Sequence, residues 1–238
     1  MRITRVFSPQ KLSVGLFFAL DSDTSKHLTR VMRLRVGQEF VSFDNSGAEF
    51  VCRLTEISRH GLAQGEVLSA SFPDVESACR LRICLSIVKG ERFDWAVEKL
   101  TELGVAEIVP IQTEFTQVIA PADNKRERWQ RLAAGAAGQS GRVMVPEITA
   151  PMSFTEALTK YSAEGTCIMF NCVNCGAESF DLKDEALSAC TIFIGPEGGF
   201  SLSELQAAEA SGCRFYSLGK RILRVETAAL AAASRLAV

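Results

Sequence analysis

Short apolar runs alternate with segments of helical periodicity from residue 81 onward, and this alternation restricts the possible folds more than any other feature. The predicted strands are residues 81–88, 107–112, 147–149, 166–170, 192–194 and 214–217. The predicted helices are residues 93–103, 124–140, 153–161, a segment that starts at Ser201, and residues 225–236. Strands that alternate with helices form mostly parallel sheets with helices on both faces. We therefore predict an α/β domain over residues 73–238, which begins at the polar segment 73–79.

The first 72 residues have a different pattern and predict a small β-rich domain. The β-rich runs are residues 39–43, 49–57 and 65–72. The turn sequence at residues 44–47 joins the first two runs as a hairpin. A helix is predicted over residues 26–35, capped by Asp23 or a neighbouring hydroxyl and ended by Gly37. Short alternating strands in so few residues suggest a small barrel.

Composition and charge exclude several classes of protein. A chain that is 47% hydrophobic and 23% charged is globular rather than disordered. It has no apolar run typical of a signal peptide or membrane span, so we expect a cytoplasmic protein whose eight cysteines stay reduced. The net charge is −2, yet residues 1–72 hold nine lysines and arginines against seven acidic residues. A basic front domain is a weak indication of RNA binding.

Basic side chains lie along the polar face of the helix predicted in the first domain. They are Lys26, His27, Arg30 and Arg33. Such a face is most often simply solvated. It can also be a ridge that contacts the phosphates of a nucleic acid.

Two glycine turns near the C-terminus are the strongest indication of a ligand site. The first, residues 195–199, reads Gly-Pro-Glu-Gly-Gly and follows a predicted strand. The second contains Gly219 and leads to Arg224 and Glu226 at the start of an alanine-rich helix. Ligands of parallel sheets bind beyond the carboxyl ends of the strands, so both turns belong to one composite site. The alternatives are a plain connecting turn and an ordinary surface ion pair.

Other motifs give little support to competing chemistry. The glycine turns lack the spacing of phosphate-binding and dinucleotide-binding loops. Cys172 and Cys175 form a CxxC, but no second cysteine or histidine pair completes a zinc site. We therefore expect no metal. Glu98 and Glu102 share a helix face, where a cation would relieve their repulsion.

Several segments together resemble the RsmE family of SPOUT methyltransferases, which act on small-subunit ribosomal RNA. The resemblance covers nearly the whole chain and is carried by residues 27–37, 89–90, 99–105, 139–147, 194–200 and 217–229. It implies an N-terminal PUA-like β-barrel domain that binds RNA and a C-terminal SPOUT α/β domain with a trefoil knot. It also implies S-adenosylmethionine as the cofactor, a homodimer, and methylation of N3 of a uridine in the decoding region of 16S rRNA.

The resemblance also implies roles for individual residues. Arg224 is the expected stabiliser of the uridine anion, and Glu197 or Glu226 is the expected base or the group that orients the cofactor. The expected cofactor-binding residues are Gly195, Pro196, Glu197, Gly198, Gly199, Leu218, Gly219, Ile222, Leu223 and Thr227. The expected RNA-binding residues are Arg5, His27, Arg30, Arg33, Arg35 and Arg142. Glu102 and Gln139 are further candidates to line the pocket.

Two positions depart from the family pattern, and two other functions stay open. Phe115 stands where family members often have arginine. Gly138, which precedes Gln139, stands where they often have glutamate. We expect either change to alter contacts with RNA or with a partner subunit. A related knotted enzyme would methylate a ribose hydroxyl or a tRNA base instead. A non-catalytic RNA-binding assembly factor is the third interpretation, and the intact turn at residues 195–199 argues against it.

Overall fold

Two compact units make up the chain in the structure, which is a computed structural model. It describes residues 4–117, 123–170, 178–179 and 187–236. The first unit contains the described residues up to Glu76 together with Ala134–Val145. The second contains Ser77–Ala133 and the described residues from Pro146 onward. The sequence boundary after residue 72 did not anticipate that a later segment joins the first unit.

Five strands form the sheet of the first unit. They are β1 (Arg5–Phe7), β2 (Phe17–Ala19), β3 (Glu39–Phe43), β4 (Glu49–Ile57) and β5 (Ala63–Ser71). Their hydrogen-bonded order is β1-β3-β4-β5-β2, with only the β1–β3 pair parallel. The predicted hairpin of β3 and β4 is confirmed, with Val41 opposite Val51. The described residues of β1 and β2 do not pair with each other, so the barrel stays a prediction.

The helix predicted over residues 26–35 was placed wrongly. It begins as α1 (Ser22–Lys26) and continues as a π-helical segment (His27–Val31). Its cap is Asp21 rather than Asp23, because the Asp21 carboxylate accepts two 2.9 Å hydrogen bonds from backbone N–H groups of the first turn. It ends where Arg33 adopts a φ of +57°, a left-handed conformation that a helix cannot continue through. Gly37 therefore belongs to the next turn.

The core of the first unit holds its helix, and a hydrogen bond ties its later segment to the β3–β4 turn. Leu28, Phe40 and Leu54 are fully buried in it. The segment 134–145 is tied to the β3–β4 turn, where the Asn45 side chain accepts a 2.8 Å hydrogen bond from the Val145 N–H. These contacts explain why a segment from the middle of the chain belongs to this unit.

Gly138 lies in that segment, and the packing around it leaves no room for a side chain. A Cβ at Gly138 would lie 2.9 Å from the carbonyl oxygen of Arg5. Real Cβ atoms do not approach backbone that closely, so a larger residue would require the backbone to shift. The departure from the family pattern at this position is therefore a packing requirement in this chain.

The second unit contains an eight-stranded sheet in which every strand pair is parallel. Its strands are β6 (Arg80–Ser86), β7 (Glu107–Gln112), β8 (Glu147–Ile148), β9 (Met152–Ser153), β10 (Thr166–Phe170), β11 (Glu178–Ser179), β12 (Ala189–Ile194) and β13 (Arg214–Ser217). The order is β11-β13-β10-β12-β6-β7-β8, and β9 also pairs with β7. The predicted parallel α/β architecture is confirmed. A knot depends on the path of the chain through its loops rather than on strand order, and it stays a prediction.

The remaining helices agree closely with the sequence prediction. They are α2 (Arg92–Glu102), α3 (Asp123–Ser140), α4 (Phe154–Tyr161), α5 (Leu202–Ala210) and α6 (Val225–Ala233). Ser201 and Glu204 form the predicted capping box of α5. Lys99 lies between Glu98 and Glu102 and donates to both carboxylates, at 2.8 and 2.7 Å. No helix of the described residues is long and apolar enough to cross a membrane.

An ion-pair network around the buried Arg82 and Glu107 secures the amino-terminal side of the parallel sheet. The Arg82 guanidinium donates to Glu107 and to Glu164, each at 2.8 Å, and to the Thr191 hydroxyl at 3.0 Å. The Tyr161 hydroxyl donates to the other Glu107 oxygen at 2.9 Å. Every charge in this network has a partner, which is what burial of charged groups requires.

The prediction that all cysteines stay reduced is wrong for one pair in this structure. Cys167 of β10 and Cys213, which precedes β13, form a disulfide. Cysteine spacing in the sequence does not reveal this pair, because neighbouring parallel strands bring the two residues together from 46 positions apart. Cys172 and Cys175 lie outside the described residues.

Candidate active site at the carboxyl ends of the parallel strands

The first glycine turn follows β12 at the carboxyl edge of the sheet. The Gly199 N–H donates a 2.8 Å hydrogen bond to the Pro196 carbonyl, and Gly199 has a φ of +73°. A Cβ at Gly195 would lie 2.8 Å from the Phe200 ring, and one at Gly198 would lie 3.2 Å from Cβ of Phe115. These glycines therefore allow aromatic residues to pack against the turn, and the turn presents the one acidic side chain within it.

That side chain, Glu197, is held by an arginine from another loop. Its Oε1 accepts a 2.5 Å hydrogen bond from Nη1 of Arg92, the first residue of α2. Partial burial alone would raise the pKa of Glu197, but the hydrogen bond from Arg92, together with the charges of Arg92 and Arg224, holds that pKa below its usual value. Glu197 is therefore an ionised, positioned carboxylate at neutral pH.

Arg92 is a site residue that sequence reasoning missed. It follows β6, which pairs directly with β12, so its loop lies at the same edge as the Gly195–Gly199 turn. Its Nη1 also lies 3.9 Å from Oε2 of Glu226. The sequence feature that could have identified Arg92 is its position shortly after a buried parallel strand, because the ends of neighbouring strands meet there.

Arg224 and Glu226 straddle the start of α6, as predicted. Arg224 is the exposed N-cap residue, and the helix begins at Val225. Glu226 is only 7% exposed, and its Oε2 has no hydrogen-bond partner among the residues that the structure describes. A buried carboxylate oxygen without a hydrogen bond is costly, so it marks a position kept for something other than stability.

Two neighbouring cavities meet at Arg92. The larger has a volume of ≈ 690 Å³ and is lined by residues 87–89, Arg92, residues 114–117 and residues 196–198. The smaller has a volume of ≈ 400 Å³ and is lined by Glu91, Arg92, Trp95, Arg224, Glu226 and Thr227. The first glycine turn and the start of α6 thus contribute to adjoining spaces, and Arg92 belongs to both.

The second glycine turn forms a separate recess beyond β10 and β13. Its lining residues are Phe170, Ser217, Leu218, Gly219, Arg221, Leu223 and Ala228. The recess has a volume of ≈ 60 Å³, which is room for the edge of a ligand and not for a whole nucleoside. Gly219 has a φ of +113°, which a residue with a side chain rarely adopts. Ile222 does not line the recess and is 77% exposed.

The residues predicted to bind RNA fall into two groups in the first unit. His27, Arg30, Arg33 and Arg35 are exposed. Arg5 instead pairs with Glu49, and its guanidinium donates to the carbonyl of Arg142 at 3.2 Å. Arg142 is buried and paired with Glu76, which also accepts two backbone N–H groups of the following residues. These contacts give Arg5 and Arg142 structural roles within the unit.

The two further candidates from the sequence are not in the cavities described above. Glu102 pairs with Lys99 on α2. Gln139 lies near the C-terminal end of α3 and is exposed. Within the described part of the chain, no group of three or more histidine, cysteine or acidic side chains is arranged to hold a metal ion.

Comparison with known proteins agrees with this geometry. Residues 75–237 match the model of an RNA methyltransferase domain, and residues 20–64 match that of an RNA methyltransferase PUA domain. The chain belongs to the RNA methyltransferase family. Ribosomal RNA small subunit methyltransferase E of Synechocystis sp. is 34% identical over 214 residues, which cover 88% of this chain and 69% of that protein.

Solved structures of this family share the fold along the whole chain. Ribosomal RNA small subunit methyltransferase E from Neisseria gonorrhoeae, bound to S-adenosyl methionine, is 34% identical with a TM-score of 0.88, covering 98% of this chain and 96% of that one. A Legionella pneumophila methyltransferase in complex with the same cofactor is 27% identical with a TM-score of 0.89, covering 99% and 97%. The recognised resemblance to the RsmE family is thereby confirmed.

Proposed function

We propose that this protein methylates N3 of a uridine in 16S rRNA, with S-adenosylmethionine as the methyl donor and the small ribosomal subunit as the substrate. The family and its named relatives support the reaction class and the RNA. The observation that carries the choice of N3 is the buried Glu226 carboxylate, which has a free oxygen beside Arg92 and lines one cavity with Arg224. Methylation at N3 requires removal of a proton, and such a carboxylate can accept it.

The residues present fit the cofactor. The recess contains the apolar side chains of Leu218 and Leu223, and at Gly219 no Cβ blocks the backbone. A purine ring fits such an apolar, open surface. Its small volume means that the rest of the molecule extends beyond it. When bound, S-adenosylmethionine supplies a methyl group attached to a positively charged sulfur. The contribution of this chain is to hold both reactants in line.

Glu226 is the better candidate for the base. Glu197 already accepts a hydrogen bond from Arg92, and its pKa is lowered, so it binds a proton weakly. Oε2 of Glu226 accepts no hydrogen bond from the described residues, and Nη1 of Arg92 lies 3.9 Å away from it. We assign to Glu226 the removal of the N3 proton and to the exposed Arg224 the stabilisation of negative charge on the uracil ring. Glu197 then holds the Arg92 guanidinium in position, and this guanidinium places a positive charge beside Glu226.

The exposed basic residues of the first unit are proposed to hold the RNA backbone. His27, Arg30, Arg33 and Arg35 are exposed and take part in none of the ion pairs seen in the described part of the chain. Free cations of this kind bind phosphates without reading sequence. The proposal includes a homodimer, which the resemblance implies and sedimentation measurements test.

Methylation of small ribosomal subunits from cells that lack this protein tests the proposal. The wild-type protein is expected to produce 3-methyluridine in 16S rRNA, identified by mass analysis of the digested nucleosides. Arg224→Ala is expected to abolish the product while calorimetry still detects S-adenosylmethionine binding. A 2′-O-methylated nucleoside, or a modified tRNA, would reject the N3 assignment. Absence of cofactor binding by the wild type would favour a non-catalytic assembly factor.

A further inference from the structure

The ≈ 690 Å³ cavity shares no lining residue with the recess at Leu218, Gly219 and Leu223. It is formed by the loops after β6, β7 and β12, and it contains an aromatic ring, two cations, two carboxylates and an amide. We propose that this cavity binds the target nucleotide of a single-stranded RNA, with its base stacked on the ring of Phe115. This inference rests on the proposed function, since it names where the substrate base of that reaction lies.

Phe115 is exposed although its loop is fixed. Phe115 is 44% exposed. On one side of it, the Glu114 N–H donates a 2.9 Å hydrogen bond to Oε1 of Glu204 in the capping box of α5. On the other side, Oγ1 of Thr116 accepts from the Thr113 N–H at 2.9 Å and lies 3.0 Å from Oγ of Ser86. Because the loop is held on both sides, it keeps a large apolar ring exposed to water. The ring is therefore preorganised to stack against a ligand base.

The position of the ring directs a stacked base toward the proposed catalytic groups. Gly198 lies directly against Phe115, since a Cβ there would be 3.2 Å from Cβ of Phe115. The neighbouring residue in that turn is Glu197, which binds Arg92. Arg92 lines both this cavity and the one that contains Glu226. A base on Phe115 would therefore lie beside the wall that the two cavities share.

The remaining lining residues suit a nucleotide. Lys89 is an exposed cation at the rim, placed to bind a phosphate. The Gln117 amide offers both a donor and an acceptor, and a uracil edge presents the complementary groups. The volume lies in the range of small-molecule sites and exceeds what a base alone needs. A stacking surface is useful only for a base that has left its own helix, so the ligand is single-stranded or flipped RNA.

Photochemical crosslinking tests the stacking directly and needs no catalytic activity. The full chain is irradiated with a short single-stranded RNA that carries 5-iodouridine, and the crosslinked peptide is identified by mass spectrometry. The crosslink is expected at Phe115 and is expected to be absent from Phe115→Ala. A crosslink that maps only to the first unit, or one that persists in Phe115→Ala, would overturn the pocket.

Steady-state methylation of small subunits separates stacking from a structural role. Phe115→Ala is expected to raise KM for the subunit roughly 5- to 150-fold, the range that loss of one base–aromatic stack produces. Phe115→Tyr keeps the ring and is expected to restore most of that loss. Phe17→Ala is the matched control, because Phe17 is 62% exposed and does not line the cavity. Unchanged KM in Phe115→Ala would contradict the proposal.

Two further measurements show whether a loss of activity in Phe115→Ala comes from the base pocket, from cofactor binding or from the oligomeric state. Calorimetry should show equal S-adenosylmethionine binding by wild type and Phe115→Ala, because the cofactor recess has other lining residues. Sedimentation should show equal oligomeric states, and dissociation of Phe115→Ala would mean that the ring contacts another copy of the chain instead. A wild type that crosslinks at Phe115 yet transfers no methyl group would reject the proposed reaction and keep the pocket. A wild type that methylates the subunit without a crosslink at Phe115 would reject the pocket and keep the proposed reaction.

Discussion

Replacement of Glu226 by glutamine is the sharpest test of the catalytic assignment. Glutamine has nearly the same shape but cannot remove a proton. If Glu226 is the base, the rate of the methyl-transfer step should fall about 100- to 10,000-fold, the usual contribution of general base catalysis. Cofactor binding should stay unchanged, because Glu226 does not line the recess that contains Leu218 and Gly219.

The structure also predicts that this variant folds. The attraction between Glu226 and Arg92, whose atoms are 3.9 Å apart, is about 4 kcal/mol at an effective dielectric constant of ~20. Burial of the carboxylate, which is only 7% exposed, costs several kcal/mol in desolvation, and one oxygen has no hydrogen bond to offset it. The two effects nearly cancel. Glu226→Gln should therefore unfold in urea within about 1 kcal/mol of the wild type.

The assay is a single-turnover measurement with excess enzyme, so that product release does not limit the rate. Glu197→Gln provides the matched comparison, because it makes the same change on the partner that already holds Arg92. It should weaken positioning and slow the reaction less than Glu226→Gln does. A wild-type rate for Glu226→Gln, or a larger loss for Glu197→Gln, would refute the assignment of the base.

Three other predictions follow from the structure. Glu107→Ala leaves the guanidinium of Arg82 buried without its main partner and should lower the free energy of unfolding by about 3–5 kcal/mol in urea titrations, whereas a loss under about 1 kcal/mol would contradict the network. The double variant Arg30→Ala/Arg33→Ala should reduce the salt dependence of RNA binding, with the slope falling by roughly 0.7 to 0.9 for each phosphate contact removed; an unchanged slope would mean a merely solvated face. The pKa of Glu197 lies below its usual 4.5, so its ion pair contributes stability above pH 4.5 and loses it as the pH falls further. Unfolding at pH 5 to 8 should therefore be equally pH-dependent in wild type and Glu197→Gln, and a difference confined to that range would refute the lowered pKa.

Local patterns in the chain predicted most of the regular structure. Five strands have the predicted bounds, because each is an apolar run bounded by turn residues: β3, β4, β7, β10 and β13. The three-residue strands β1 and β2 are too short to show a period, and they were missed. The first helix was misplaced because its cap, Asp21, and its end at Arg33 depend on backbone conformations that composition does not reveal.

Site residues were predictable where they lie next to each other in the sequence. The glycine turn and the pair Arg224 and Glu226 stand out because glycines and charges interrupt apolar runs. Arg92 does not stand out, since an arginine at a helix start is an ordinary feature, and Phe115 stands out only as a departure from the family pattern. Their significance comes from the loops that meet them across the sheet edge.

The sequence alone determined that parallel strands alternate with helices, that two glycine turns end strands, and that the chain resembles the RsmE family. Only the tertiary structure decided which charges meet: Arg92 and Glu197 are 105 positions apart. Local periodicity encodes which face of a strand is buried but not which strand becomes its neighbour. That choice is made by burial of the whole sheet, and the pairing of β6 with β12 is what brings this arginine to the Gly195–Gly199 turn.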